Sequence, residues 1–185
     1  MIGFALCGSF CTIRYALEEM KILAEKYDIC AIVSEAVYST DTRFAKACDV
    51  VSKIEEITGR SVIHTIVGAE PLGPKSPLDA LIICPCTGNT LAKMANGITD
   101  SSVTMAAKAH LRSNRPLILS LASNDALSAN LKNIGEMLTR KSVYFVPMKQ
   151  DDPDGKPHSL VADFKKLPDT LDAALAGKQY QRLFG

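Results

Sequence analysis

The stretch LIICPCTGNTLAKMANGITD, Leu81 to Asp100, passes from an apolar run through a polar turn into a helical pattern. Leu81-Ile82-Ile83-Cys84 reads as a strand buried on both faces. Pro85 has no N–H to give to a sheet and is expected to end that strand, with Thr87, Gly88, Asn89 and Thr90 standing where a helix begins. A turn of this kind presents free backbone N–H groups and hydroxyls, and the helix dipole adds partial positive charge. It therefore suits a phosphate or a polarised ring edge. The same residues also serve as an ordinary N-cap, so local chemistry leaves both readings open.

Upstream, Ile2 to Cys7 reads as a first strand, Gly8-Ser9-Phe10 as a turn, and Thr12 to Lys26 as a helix with Ile13, Leu17, Met20 and Leu23 on one face. Gly8 lets the backbone approach a ligand closely, and Ser9 adds a hydroxyl at a helix start. Their place after the first strand matters, because ligands of such sheets bind beyond the carboxyl ends of the strands. Asp28 to Val33 is a second apolar strand that ends at Ser34, a residue suited either to a ligand contact or to capping the next turn. Thr42 to Thr58 has helical spacing, closed by Gly59. Ser61 to Val67 is β-rich and is expected to be a third strand, with His64 as a structural histidine among apolar neighbours. Glu70 to Pro77 holds three prolines and a glycine, which forbid regular structure; this stiff loop is a candidate lid, a subunit contact or simple punctuation.

Downstream, a helix over Ser101 to Ser113 leads to a buried strand, Pro116 to Leu121, and to the loop Ala122 to Asp125 at its carboxyl end. A helix from Ser128 to Leu138 and a strand from Val143 to Val146 follow. Lys149 to His158, polar and rich in proline, reads as an exposed loop, and Ser159 to Leu183 as helix broken at Pro168. Apolar strands alternating with helices give the fold class: α/β, a doubly wound, mostly parallel sheet flanked by helices.

The 185 residues suit one domain spanning 1–185. Apolar residues make up 47% and the formal net charge is +1, with lysines and arginines scattered, so no nucleic-acid partner is implied. The apolar start lacks a basic leader, and no run approaches the roughly 20 residues a membrane span needs. A cytoplasmic protein without a membrane partner is expected. Six cysteines without a C-x-x-C pair read as mostly buried free thiols, Cys86 included.

Pro85 to Asp100, PCTGNTLAKMANGITD, resembles the P-x-S-x-N-T…K-x-A-x-G-x-x-D segment of the FMN-binding flavoprotein superfamily, which includes cysteine decarboxylases and flavin prenyltransferases. That resemblance implies a Rossmann-like flavoprotein fold and an FMN pocket. Gly8, Ser9 and Ser34 would meet the phosphate, Thr87, Gly88, Asn89 and Thr90 would frame the phosphate and the isoalloxazine edge, and Phe10 would be a further cofactor-binding residue. Thr104 falls on a threonine of the prenyltransferase passage D-N-L-L-T-R-A-A, and Ala122 on the arginine of their R-E-T-P-L. At Ala122 the chain departs from the pattern, and the fork that grips phosphate bidentately is missing there. The aromatic phosphate-binding stretch expected after Met148 is replaced as well, by Lys149 to His158, whose Lys149, Lys156 and His158 are candidates to meet a dicarboxylate.

Three further stretches, ALCGSFCT, IVGAEPLGP and PHSLVADF, resemble the dipicolinate synthase B-type branch of the superfamily. That branch implies formation of dipicolinate from a dihydrodipicolinate-type precursor during sporulation, an aromatising oxidation of a small dicarboxylate. The implied partner is a dehydrogenase-like dipicolinate synthase A subunit supplying NADP or NAD; this chain has no G-x-G-x-x-G of its own. The substrate is expected near Ser120 to Asp125 and the Pro71 to Pro77 loop. Relatives assemble as trimers or dodecamers, so a homo-oligomer is expected. His64, His110 and Asp125 are the acid–base candidates. The alternatives are a flavin prenyltransferase and a non-catalytic activating partner of the A subunit.

Overall fold

A computed structural model describes residues 1–75 and 78–185. Five parallel strands, β1 (Ile2–Leu6), β2 (Ile29–Val33), β3 (Ala80–Cys86), β4 (Leu117–Ser123) and β5 (Val143–Phe145), form the main sheet. Two short strands, β6 (Met148–Lys149) and β7 (Leu160–Ala162), extend it antiparallel from the end of β4. The order is β2-β1-β3-β4-β7-β6, with β5 on the first half of β4. Helices α1 (Ile13–Ala24), α2 (Glu35–Ser39), α3 (Ala47–Thr58), α4 (Ile66–Ala69), α5 (Gly88–Ala95), α6 (Ser102–Leu111), α7 (Leu131–Leu138) and α8 (Leu167–Leu175) cover both faces.

The near-continuous apolar strands follow from that double cover. Side chains alternate between two cores: Phe4, Leu6, Ile82 and Ile118 pack with Ile13, Met20, Ile54 and Leu171 of α1, α3 and α8. Ala5, Leu81, Ile83 and Leu119 pack with Leu91, Val103, Ile134 and Met137 of α5, α6 and α7. Each large aliphatic side chain so buried contributes about 1.5–3 kcal/mol.

β1 passes through α1 to β2 on one side, whereas β3 lies on its other side. The two loops that leave β1 and β3 therefore diverge, and a crevice opens between them at the carboxyl ends of the strands.

Several elements differ from the sequence reading. Pro85 does not end the central strand: β3 runs to Cys86, and the register slips between Ile83 and Cys86, so the residue without an N–H sits where no ladder donor is needed. The expected third strand over Ser61 to Val67 reduces to one bridge, Ile32 to Ile63, after which the Thr65 hydroxyl caps α4. The helix expected from Thr42 begins at Ala47, because Thr42 and Asp41 accept the N–H groups of a tight turn. Pro168 starts α8 instead of breaking a helix, as suits a residue whose missing N–H is unneeded in a first turn, and Ser159 to Asp163 is mainly strand β7. Cys11 and Cys48 are exposed and Cys30 half-buried, while Cys7, Cys84 and Cys86 are buried as expected.

Candidate functional site

The crevice is a cleft of about 510 Å³. Three turns, each following a core strand, build its floor: Gly8-Ser9-Phe10 after β1, Thr87-Gly88-Asn89 after β3, and Ala122 to Asp125 at the end of β4. Arg43 and Phe44 form one wall, and Asp151, Lys156 and Val161 form another.

Each turn is fixed from within. Thr87 caps α5, its hydroxyl accepting the Thr90 N–H at 3.2 Å. The Thr90 hydroxyl donates to Cys7 Sγ at 3.2 Å, tying the β3 turn to the end of β1. Burial pushes the Cys7 thiol up to about 11, so it is a packing atom and not a nucleophile. Burial likewise raises Cys86 and Cys84. In the first turn the Thr12 hydroxyl lies 2.9 Å from both Ser9 O and Ser9 Oγ, which ties the start of α1 to the turn. The first N–H groups of α5, at Gly88 and Asn89, find no acceptor among the described residues.

The third turn holds a fixed carboxylate. Asp125 accepts from Ser123 Oγ at 2.5 Å and from Asn130 Nδ2 at 2.9 Å, and Asn133 supports Asn130 at 2.8 Å. The Ser123 hydrogen bond, followed by that of Asn130, holds the Asp125 carboxyl below its ordinary range. It is an acceptor at neutral pH and no proton donor. Gly88 packs directly on this cluster: a Cβ there would lie 2.3 Å from Ser123 Oγ and 2.6 Å from Asn130 Nδ2. The glycine is required by close approach, with no positive φ involved.

The cleft thus gathers Gly8, Ser9, Phe10, Thr87, Gly88, Asn89 and Ala122 of the residues singled out in the sequence. Three others stand elsewhere. Ser34 follows β2 and caps α2, its Oγ accepting the Val37 N–H at 3.4 Å and its own N–H bonding Leu6 O. Thr90 is buried beneath the turn. Thr104 completes a capping box with Ser101 at the start of α6 and lines a different hollow.

Among the acid–base candidates only Asp125 reaches the cleft. His110 is buried near the amino end of β4 on Pro116 O, 2.8 Å away, and burial lowers its pKa. His64 stacks on Tyr38 with centroids 3.7 Å apart. Ser120 is wholly buried within β4. The loop from Pro71 to Lys75 precedes β3 and packs at the amino ends of the strands, Gly73 closing on Ala109 of α6; Ser76 and Pro77 lie outside the described residues. Lys93 and Asp100, prominent in the sequence motif, form a clasp at 2.9 Å that closes the turn after α5.

Arg43, Phe44 and Asp151 were not legible as cleft residues. Arg43 and Phe44 fell inside an apparent helix, and the one available signal was the Asp41-Thr42 pair, which favours a capping turn over a helix interior.

Over residues 1–172 the sequence matches the family described as Flavoprotein. The B-type chain of dipicolinate synthase from Bacillus subtilis is 46% identical over 97% of this chain and 90% of its own length. The crystal structure of the corresponding B-type chain of dipicolinate synthase from Bacillus halodurans superposes with a TM-score of 0.91 at 43% identity, covering 100% of this chain and 95% of that one. An FMN-dependent cysteine decarboxylase shares the fold, with a TM-score of 0.71 at 20% identity over 95% of this chain and 94% of its own.

Proposed function

The chain belongs to the flavoprotein family, and from that premise we propose that it is the B-type component of a dipicolinate synthase, acting with a dehydrogenase-like A-type partner in sporulation. The observation that carries this reading is the 46% identity to the Bacillus subtilis protein over nearly the whole chain. The reaction so proposed is the aromatising oxidation of a dihydrodipicolinate-type dicarboxylate. Such an oxidation removes a hydride equivalent and a proton from the ring, and its acceptor would be either a nicotinamide supplied by the partner or an FMN held in this cleft.

The cleft fits an FMN. Its volume of about 510 Å³ lies within the range of about 300–1,000 Å³ usual for small-molecule sites. The unpaired N–H groups of Gly88 and Asn89 and the Ser9 hydroxyl in the cleft lining are donors for a phosphate or a ring carbonyl. When bound, FMN supplies a planar, electron-accepting ring. Gly8 and Gly88 let backbone approach the ligand, and Asp125 accepts a ligand N–H or O–H from a fixed position. Phe10 and Phe44 present apolar surface against it. Thr87 and Thr90 hold the β3 turn in shape and serve the ligand indirectly. Ser34, whose N–H bonds Leu6 O, ties the start of α2 to the end of β1. Ala122, with no long side chain, leaves room at the end of β4.

The test is the visible absorption spectrum of the purified protein and a titration with FMN, then dipicolinate formation with and without the A-type partner. Bound yellow flavin together with partner-dependent dipicolinate is the expected outcome. A protein that stays colourless at high micromolar FMN refutes the cofactor assignment. Equal activity of the partner alone refutes the assignment to a two-component synthase, and turnover of dimethylallyl phosphate would move the chain to the prenyltransferases.

A further inference from the structure

The charges around the cleft are almost all spoken for. Lys156 pairs with Asp151 at 3.1 Å. Asp125 is held by Ser123 and Asn130. Arg43 alone among the cleft's cations has no carboxylate and no hydrogen-bond acceptor among the described residues.

Its position is nonetheless built. The Thr42 hydroxyl accepts the N–H groups of Phe44 at 3.2 Å and Ala45 at 3.4 Å and donates to Ala45 O at 3.2 Å. The Thr42 N–H bonds Ala45 O at 3.0 Å, and Asp41 accepts the Ala47 N–H at 2.8 Å. This closed turn presents Arg43 at its tip, where the guanidinium lies 4.8 Å from the centre of the exposed Phe44 ring. A cation–π contact orients an arginine without neutralising it, and leaves its N–H fork for a ligand. At the end of β4, meanwhile, the small Ala122 brings no cation, and Lys156 on the adjoining wall is already paired with Asp151.

We propose that Arg43 is the oxyanion-binding residue of the cleft, supplying from the turn before α3 the bidentate cationic contact that the end of β4 does not provide. This rests on the reading of the cleft as a flavin and dicarboxylate site. The group it takes is a planar or tetrahedral oxyanion, either the ligand phosphate or a ring carboxylate, both of which match the guanidinium fork.

The experiment compares wild type with Arg43→Gln and Arg43→Lys in titrations with FMN, riboflavin and pyridine-2,6-dicarboxylate, followed by flavin fluorescence and calorimetry. Arg43 is exposed, so the variants are expected to fold, which circular dichroism checks. If the oxyanion is the phosphate, Arg43→Gln weakens FMN about tenfold or more, leaves riboflavin unchanged, and Arg43→Lys recovers part of the loss. If it is the carboxylate, both flavins bind as in wild type and pyridine-2,6-dicarboxylate weakens by a similar factor. Lys26→Gln removes an exposed cation at the end of α1, outside the cleft lining, and is the control for net charge. Wild-type affinity of Arg43→Gln for all three ligands overturns the proposal, and so does an equal loss in Lys26→Gln. Failure of wild type to bind either flavin refutes the cofactor reading separately, and the dicarboxylate titration then decides Arg43. Failure to bind any of the three refutes both.

Discussion

Gly88→Ala is the substitution whose cost the structure specifies most fully. The added methyl would stand 2.3 Å from Ser123 Oγ, 2.6 Å from Asn130 Nδ2 and 2.9 Å from Asp125 Oδ1, all closer than side-chain carbons approach. None of the three neighbours is a flexible tip. Ser123 and Asn130 are buried, and each is bonded to Asp125, with Asn133 behind Asn130. To admit the methyl, Ser123 must turn away and surrender its bond to a charged acceptor, a loss of about 1.5–3 kcal/mol. Residual crowding adds about 1–3 kcal/mol, and the better helix propensity of alanine returns at most about 1 kcal/mol. The net expectation is a destabilisation of about 1.5–5 kcal/mol. Urea unfolding at fixed protomer concentration should show it as a midpoint lowered by about 0.8–2.5 M for a slope of about 2 kcal/mol/M. Gly135→Ala is the control: nothing lies within 4 Å of its Cβ and its φ is ordinary, so α7 should be unchanged or slightly stabilised. In a Ser123→Ala background Gly88→Ala should cost at least about 1 kcal/mol less, because the nearest obstruction is gone. A Gly88→Ala protein within about 0.5 kcal/mol of wild type, or strict additivity with Ser123→Ala, refutes the packing account.

Other expectations follow from single contacts. Gln179 closes the open edge of β5 with its side-chain amide, accepting the Phe145 N–H at 2.9 Å and donating to Phe145 O at 2.7 Å; Gln179→Ala should cost about 1–3 kcal/mol and raise light scattering on storage. The buried His110 has a pKa lowered by burial, so protonation favours the unfolded chain: stability is full above about pH 6.5 and falls as pH drops through the lower folded value. Urea midpoints of wild type should decline as pH falls below about 6.5, and a His110→Gln variant that declines equally would show another group is responsible. Asp125, depressed by its Ser123 and Asn130 hydrogen bonds, contributes stability that is present above its unfolded value of about 4 and lost below it; Asp125→Asn should flatten that acid limb. A thiol-reactive dye should label Cys11 and Cys48 rapidly in the native protein, whereas Cys7, Cys84 and Cys86 should react only on unfolding; rapid native labelling of Cys86 would contradict its burial.

Much of the sheet was legible because double-sided burial writes an unbroken apolar run into each core strand, and four such runs alternating with helical spacing point to a doubly wound sheet. Ile2 to Leu6, Ile29 to Val33 and Leu117 to Leu121 were found within a residue or two for that reason. The turns after β1 and β3 were legible too, since glycine, serine and threonine at a strand-to-helix junction have few other uses. The short strand β7 was not: three residues carry no period, and its pairing with Ala122 and Ser123 depends on where β4 ends.

What the sequence determined by itself, then, is the alternation of elements, the place of the Thr87 to Thr90 turn, and the resemblance of the Pro85 to Asp100 segment to a flavoprotein motif. Tertiary structure alone decided how those residues divide their work. Lys93 and Asp100 form a clasp, Thr90 and Cys7 a pin, and Thr104 a cap, while Arg43 and Lys156, 113 positions apart by 156 − 43, face one cleft. The physical reason is that periodicity encodes which side of an element is apolar. Which distant side chains meet at the end of a sheet depends on strand order and register, and those are set only when both cores close around the strands.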